Sequence, residues 1–111
     1  MPTKKKLYNI RLRDNSLLEV EGDEIPNDYG MRVFVHKKLG MNGTKLGGYS
    51  VSDFWTGLCA VSERDYVNLT LTKKKAAEVF LQRMEAYPQA RESYAENVRQ
   101  WVEKLGYANK E

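Results

Sequence analysis

A thiol, an imidazole and a carboxylate are the groups that nucleophilic catalysis needs, and this chain offers one such set in Cys59, His36 and Asp53. The thiolate attacks once the imidazole takes its proton and the carboxylate orients the ring. All three fall in predicted strands, where no sharp turn or helix start activates the thiol, and a strand Cys ordinarily behaves as a small hydrophobe. Paired carboxylates occur as Asp23 with Glu24 and as Glu92 with Glu96, one helical turn apart. Neither pair has a nearby imidazole, Gly-rich site or third ligand, and acids four apart on a helix usually face water. With one Cys and one His the chain lacks the roughly four soft or imidazole ligands of a zinc finger. A lone Cys59 cannot close an intramolecular disulfide, so nothing calls for an oxidising compartment, and the Asn42-Gly43-Thr44 and Asn68-Leu69-Thr70 sequons read as accidental. Residues 38 to 48 carry four glycines, but Gly43-Thr44-Lys45 reverses the Lys-then-hydroxyl order of a phosphate-binding loop. The expectation is a protein that is not an enzyme, with no catalytic residue, no metal and no cofactor.

The elements that position these groups follow from periodicity. Tyr8, Ile10 and Leu12 alternate with Asn9, Arg11 and Arg13, and Leu18 and Val20 alternate with Glu19 and Glu21, which predicts two strands with one buried face each. A three-residue Asp14-Asn15-Ser16 loop would set Leu12 opposite Leu18, Ile10 opposite Val20 and Arg11 opposite Glu19. Met31, Val33 and Val35 predict a third strand. Tyr49 to Phe54 and Leu58 to Ser62 flank Trp55-Thr56-Gly57, which fits a second three-residue loop with Gly57 in the left-handed region and Val51 opposite Val61. Val67, Leu69 and Leu71 alternate in a further stretch, so five or six strands precede any helix, and their short connections make the sheet mostly antiparallel. Thr72 is placed to cap a helix carrying Ala76, Ala77, Phe80, Leu81 and Met84. Pro88 opens a second helix with Tyr94, Val98, Trp101, Val102 and Leu105 on one stripe, closed by Gly106. The fold class predicted is α+β, an antiparallel sheet followed by a pair of helices on one face, in a single domain over 1–111 whose residues 1–5 and 107–111 are flexible.

Net charge is +3 over 111 residues, but its sign alternates along the chain. Lys4, Lys5, Lys6, Arg11 and Arg13 are followed by the acids Asp14, Glu19, Glu21, Asp23, Glu24 and Asp28, and then by Arg32, Lys37, Lys38 and Lys45. Such a surface suits electrostatic steering toward a charged protein partner. Counterion release on nucleic acid would instead require Lys37, Lys38, Lys45 and Lys73 to Lys75 to converge. Lysines at a helix start oppose the dipole; Lys73 to Lys75 read as a solvated helix end, with a binding role as the alternative. Apolar runs are far shorter than the roughly 18 to 20 residues of a membrane span, and no apolar stretch follows the N-terminal lysines, so the chain reads as cytoplasmic.

Binding is therefore the class the residues favour. Tyr, Trp, Met and Arg are the anchors of protein interfaces. Their placement in Gly-rich or turn segments selects Lys37, Lys38, Met41, Lys45 and Trp55 as partner-contacting residues. Lysines interleaved with Tyr29, Phe34 and Tyr49 also approach the pattern of single-strand nucleic-acid binders. An open sheet edge would allow a homodimer.

The segment Tyr49-Ser-Val-Ser-Asp-Phe-Trp-Thr-Gly-Leu58, with Thr72-Lys-Lys-Lys-Ala-Ala77, resembles the hairpin-then-helix stretch of small orphan proteins of bacteriophages and integrating mobile elements, over about a third of the chain. That resemblance implies a non-catalytic protein that engages a host protein, as anti-CRISPR-like inhibitors of bacterial defence do by masking a surface. It transfers no functional residue. The +3 total departs from the strong negative charge of DNA-mimicking inhibitors.

Overall fold

The described residues form β1 (Leu7–Arg11), β2 (Leu17–Glu24), β3 (Val33–Leu39), β4 (Lys45–Asp53), α1 (Lys73–Ala86), α2 (Pro88–Glu92) and α3 (Tyr94–Leu105). They come from a computed structural model that describes residues 6–12, 14–39, 45–58 and 72–110. The strands make a four-stranded sheet in chain order, every neighbour antiparallel, and the helices follow it, so the protein is α+β. Four strands are fewer than the five or six expected; the additional candidates lie at 58–62 and 66–71, and all but Leu58 of these is outside the described residues. Among the described residues no helix is long and apolar enough to cross a membrane.

The first hairpin keeps its predicted faces and changes its register. Ile10 sits opposite Leu18 and Tyr8 opposite Val20, two residues away from the expected pairing. The cause is the turn. Leu12 N–H donates to Ser16 C=O and Asn15 N–H to Leu12 C=O, both at 2.9 Å, with Asn15 at φ 69°. Asn tolerates the left-handed region better than Ser16, which the expected loop would have put there. Asp14 Oδ1 accepts from both Ser16 N–H and Ser16 Oγ, which holds the turn. A slip of two leaves every side chain on its original face, since strand side chains alternate with period two.

β3 is buried on both faces. Val33 and Val35 join Ile25, Met31, Val51, Ala76, Phe80 and Met84 beneath α1, while Phe34 on the other face joins Tyr8, Ile10 and Phe54. Tyr8 and Phe34 stack with centroids 4.5 Å apart and planes 15° from parallel. Gly22 on β2 makes room for that stack: a Cβ there would stand 2.9 Å from Phe34 Cδ2 and 3.2 Å from Tyr8 Cδ2.

Thr72 caps α1 as predicted, its Oγ1 accepting from Lys75 N–H at 3.2 Å. Lys73, unfavourable toward the helix dipole, pairs with Asp23 of β2, which offsets that repulsion and ties the helix start to the sheet. The pair of helices expected becomes three segments, because the run from Pro88 bends at Ser93. There Ser93 Oγ bonds back to Gln89 C=O at 2.8 Å, a local bond that bends helices, while Ser93 N–H to Gln89 and Asn97 N–H to Ser93 continue the ladder across the bend. Along α3 the predicted stripe is in place but only half covered, with Tyr94, Val98, Val102 and Leu105 half-buried and Trp101 43% exposed.

After β4 the chain reverses through Phe54 to Gly57. Gly57 takes φ 73° as expected, but Asp53 N–H donates to Leu58 C=O at 2.8 Å, so the loop has four residues rather than three. The extra residue follows from Asp53, whose Oδ2 accepts from Thr56 N–H and Thr56 Oγ1, both at 2.9 Å, and so pulls a helical turn into the loop. The expected Val51–Val61 pairing lies outside the described residues at Val61.

Residues 107–110, expected to be flexible, are tied down. Gly106 ends α3 at φ 80°, Ala108 is buried, and Ala108 N–H donates to Trp55 C=O at 2.8 Å. Arg11 N–H donates to Gly57 C=O at 2.9 Å, so the sheet curls until the outer edge of β1 meets the turn beyond β4, with the segment after α3 beside it.

Candidate functional site

The turn at Phe54 to Gly57 gathers groups from five elements. Asp53, only 6% exposed, accepts from Thr56 through Oδ2 and from the Tyr94 hydroxyl through Oδ1 at 2.5 Å. Arg32 N–H donates to that same hydroxyl at 3.2 Å, so Tyr94 clamps α3 onto β4 and the start of β3. Burial, and then the neighbouring Asp53 carboxylate, push the Tyr94 hydroxyl well above the ordinary phenol range, which keeps it protonated as the donor. The Arg32 guanidinium lies over Phe54 at 3.7 Å and near Trp55 at 5.4 Å, and donates to Glu24 Oε1 at 2.9 Å. Trp55 is half-buried, edge-on to Phe54 at 4.8 Å and to Tyr107 at 5.9 Å.

Arg11 holds the same end together from below. Its Nε donates to Thr56 C=O, Nη1 to Asn15 C=O, and Nη2 to both Leu105 and Gly106 C=O, at 2.9 to 3.0 Å. One planar guanidinium thus serves the β4 turn, the first hairpin and the last carbonyls of α3. Beside it opens a groove of about 450 Å³ lined by Met31, Asp53, Thr56, Leu58, Tyr94 and Trp101 among others.

Of the Cys-His-Asp set, His36 and Asp53 are each bonded to other groups. His36 Nδ1 donates to Lys37 C=O at 2.8 Å and Nε2 meets Ser52 Oγ at 2.7 Å, which fixes the tautomer with Nε2 accepting. Asp53 is occupied by Thr56 and Tyr94 instead, and Cys59 lies outside the described residues. Burial lowers the His36 pKa, so the ring is neutral. Among the described residues no cluster of three or more His, Cys, Asp or Glu is placed to hold a metal.

The predicted contact residues fall at two places. Lys37 is exposed on β3 opposite Tyr49, Lys38 follows it, and Lys45 opens β4 opposite Leu39. Trp55 stands two residues beyond the other end of β4, roughly 25 Å away at about 3.3 Å per residue. Met41 lies outside the described residues. At the start of α1, Lys73 pairs with Asp23 and Lys75 with Glu78 at 3.8 Å. Two further aromatics emerge, one expected on a core stripe and one at a flexible end: Tyr107, 48% exposed, is edge-on to Trp55 with Lys110 Nζ 5.7 Å from its ring centre, and Trp101, 43% exposed, lines the groove with Thr56 of the turn and has Lys104 Nζ at 5.3 Å. Their three-residue spacing to a following lysine was the one available signal. Compared with protein families, curated proteins and solved structures, the chain matches none.

Proposed function

We propose that this is a small non-catalytic binding protein of phage or mobile-element origin that engages a host protein and masks its surface, in the manner of a defence inhibitor, through its aromatic end. The observation that carries the reading is the grouping of Trp55, Trp101 and Tyr107 around the Phe54–Gly57 turn, two of them substantially exposed and capped by lysines. Trp and Tyr on a rigid scaffold supply large contact area at small entropic cost, and they dominate binding energy at protein interfaces. Arg11, Arg32 and Tyr94 fix the backbone beneath them. The resemblance to phage and mobile-element proteins supports the origin and the masking mode.

The test is affinity capture from a nuclease-treated bacterial lysate, comparing the native chain with Trp101→Ala/Tyr107→Ala and with Lys37→Glu/Lys45→Glu. A host protein retained by the native chain and the lysine variant, and lost from the aromatic variant, is the expected result. Retention by the aromatic variant defeats the proposal. The lysine-capped aromatics also favour a second reading, stacking on single-stranded nucleic acid. That reading requires an affinity for oligonucleotides that falls steeply with salt, and a flat titration at low salt removes it.

A further inference from the structure

The Asn109 side chain bonds the Asn9 peptide unit on both sides. Its Oδ1 accepts from Asn9 N–H at 2.7 Å, and its Nδ2 donates to Asn9 C=O at 2.9 Å and to Phe54 C=O at 2.8 Å. A carboxamide is a peptide group without a chain attached, so these are the bonds that an adjoining strand would make to an unpaired sheet edge. The neighbouring residue completes the set: Ala108 C=O accepts from Asn9 Nδ2 at 3.0 Å and Ala108 N–H donates to Trp55 C=O at 2.8 Å. The slot is selective. Ala108 is buried, and a Cβ built on Gly57 would stand 2.9 Å from Ala108 Cβ, so the two backbones approach closely there because position 57 is Gly. The next position needs one acceptor and two donor hydrogens, which Asn carries and Asp does not.

The strap that fills the slot is held by hydrogen bonds with little apolar area. Ala108 is buried, Asn109 is half-buried, and Tyr107 and Lys110 are exposed. Gly106, which leads into it, stands at φ 80° with no atom within 4 Å of a built Cβ, and its backbone is held by Arg11 Nη2 at its carbonyl and by Val102 C=O at its N–H. Segments with few buried apolar contacts open locally below the cost of global unfolding.

We propose that residues 107–110 are a built-in stand-in for a partner's chain: the β1 edge at Asn9 and the Phe54–Gly57 turn form a receptor slot for an extended small-residue-then-Asn segment of a partner protein, covered by the strap until displaced. This rests on the protein-partner reading above and places its entry point beside the aromatic end. Edge addition of an extended segment is an established recognition mode in which main-chain bonds give affinity and side-chain pockets give selectivity.

Hydrogen exchange on the native full chain tests it first. Asn9 and Ala108 amides should exchange at least tenfold faster than Val35 in the middle of β3; equal rates would mean that the strap opens only with the whole protein and overturn the proposal. Second, the peptide Gly-Tyr-Ala-Asn-Lys is added to the full-length Asn109→Ala variant. Slowed exchange at Asn9, absent with Gly-Tyr-Ala-Ala-Lys, is expected, and no slowing with either peptide overturns the slot. Asn9 protection that rises with native protein concentration would assign the slot to a second copy and likewise overturn it. Loss of the Trp101-dependent host partner, with the peptide effect intact, would sink the proposed function alone.

Discussion

β3 separates two interiors of opposite construction. Beneath α1, Val33, Val35, Val51, Phe80 and Met84 form an aliphatic core sealed by a helix, with Phe80 and Ala76 wholly buried. On the other face Tyr8, Phe34 and Phe54 stack and tilt against one another, and the seal is Arg11, Asn9 and Asn109, polar groups meeting backbone carbonyls and amides. The first is held by area removed from water, which is non-directional and tolerates small shifts. The second depends on the angles and distances of particular donors. A protein that places its polar seal beside its exposed aromatics has put its directionally held side at the end where we propose contact.

The comparison can be broken by substitutions that damage one side and spare the other. Phe80→Ala should cost about 3 to 5 kcal/mol through lost transfer energy and the cavity left behind, read by denaturant melts. Exchange at Asn9 should still report local opening in that variant, and coupled loss would show that the two interiors are one. Gly22→Ala should cost about 1 to 3 kcal/mol by pressing a methyl onto Phe34 and Tyr8, and should alter the near-ultraviolet circular dichroism of their stack. An unchanged spectrum and midpoint would remove the close fit argued for that glycine.

The aromatic side also holds the only histidine of the chain, with Phe34 5.4 Å away. Burial lowers the His36 pKa below its ordinary 6.5, so the unfolded chain takes up the proton first. Stability from this group is whole above about pH 6.5 and is lost as pH falls from there through the folded-state value, with a slope of at most about 1.4 kcal/mol per pH unit for one proton. Melts of the native chain and of His36→Gln between pH 7 and 5 measure it; equal slopes would assign the dependence to other groups. On the helical side Thr72→Ala should cost about 1 kcal/mol by removing the cap of α1. Smallest is Asp23→Asn, at about 0 to 1 kcal/mol, because the Asp23–Lys73 pair is more than half exposed on both side chains and is screened by water and salt.

What the sequence disclosed was the local part of this design. Strand faces followed from period two, the Thr72 cap from its residue type, and the positive φ of Gly57 and Gly106 from position after a turn and after a helix. The hairpin register was missed because it depended on whether Asn15 or Ser16 took the left-handed site, a choice of one residue. The double burial of β3 had a sign in the unbroken Val33-Phe34-Val35 run, which reads as a strand covered on both sides. The remainder of the site left no local trace. Asp53 meets Tyr94 across 41 residues, Arg11 meets Leu105 across 94, and Asn9 meets Asn109 across 100. Nothing in the residues around Asn109 marks it as a partner of β1, and the separation of the lysines from Trp55 appears only once β4 has a direction.

The reach of Arg11 and Asn9 also orders events during synthesis. Their partners at Leu105, Gly106, Ala108 and Asn109 are translated almost a whole domain later, so a nascent chain whose sheet has already paired must wait with that flank unclosed while ribosomes complete α3. Contacts of such high sequence separation form late, after the entropy of the intervening loop has been lost. Closure of the aromatic side thus comes after the sheet has paired and α3 has been made, so this flank stays open longer than the core beneath α1.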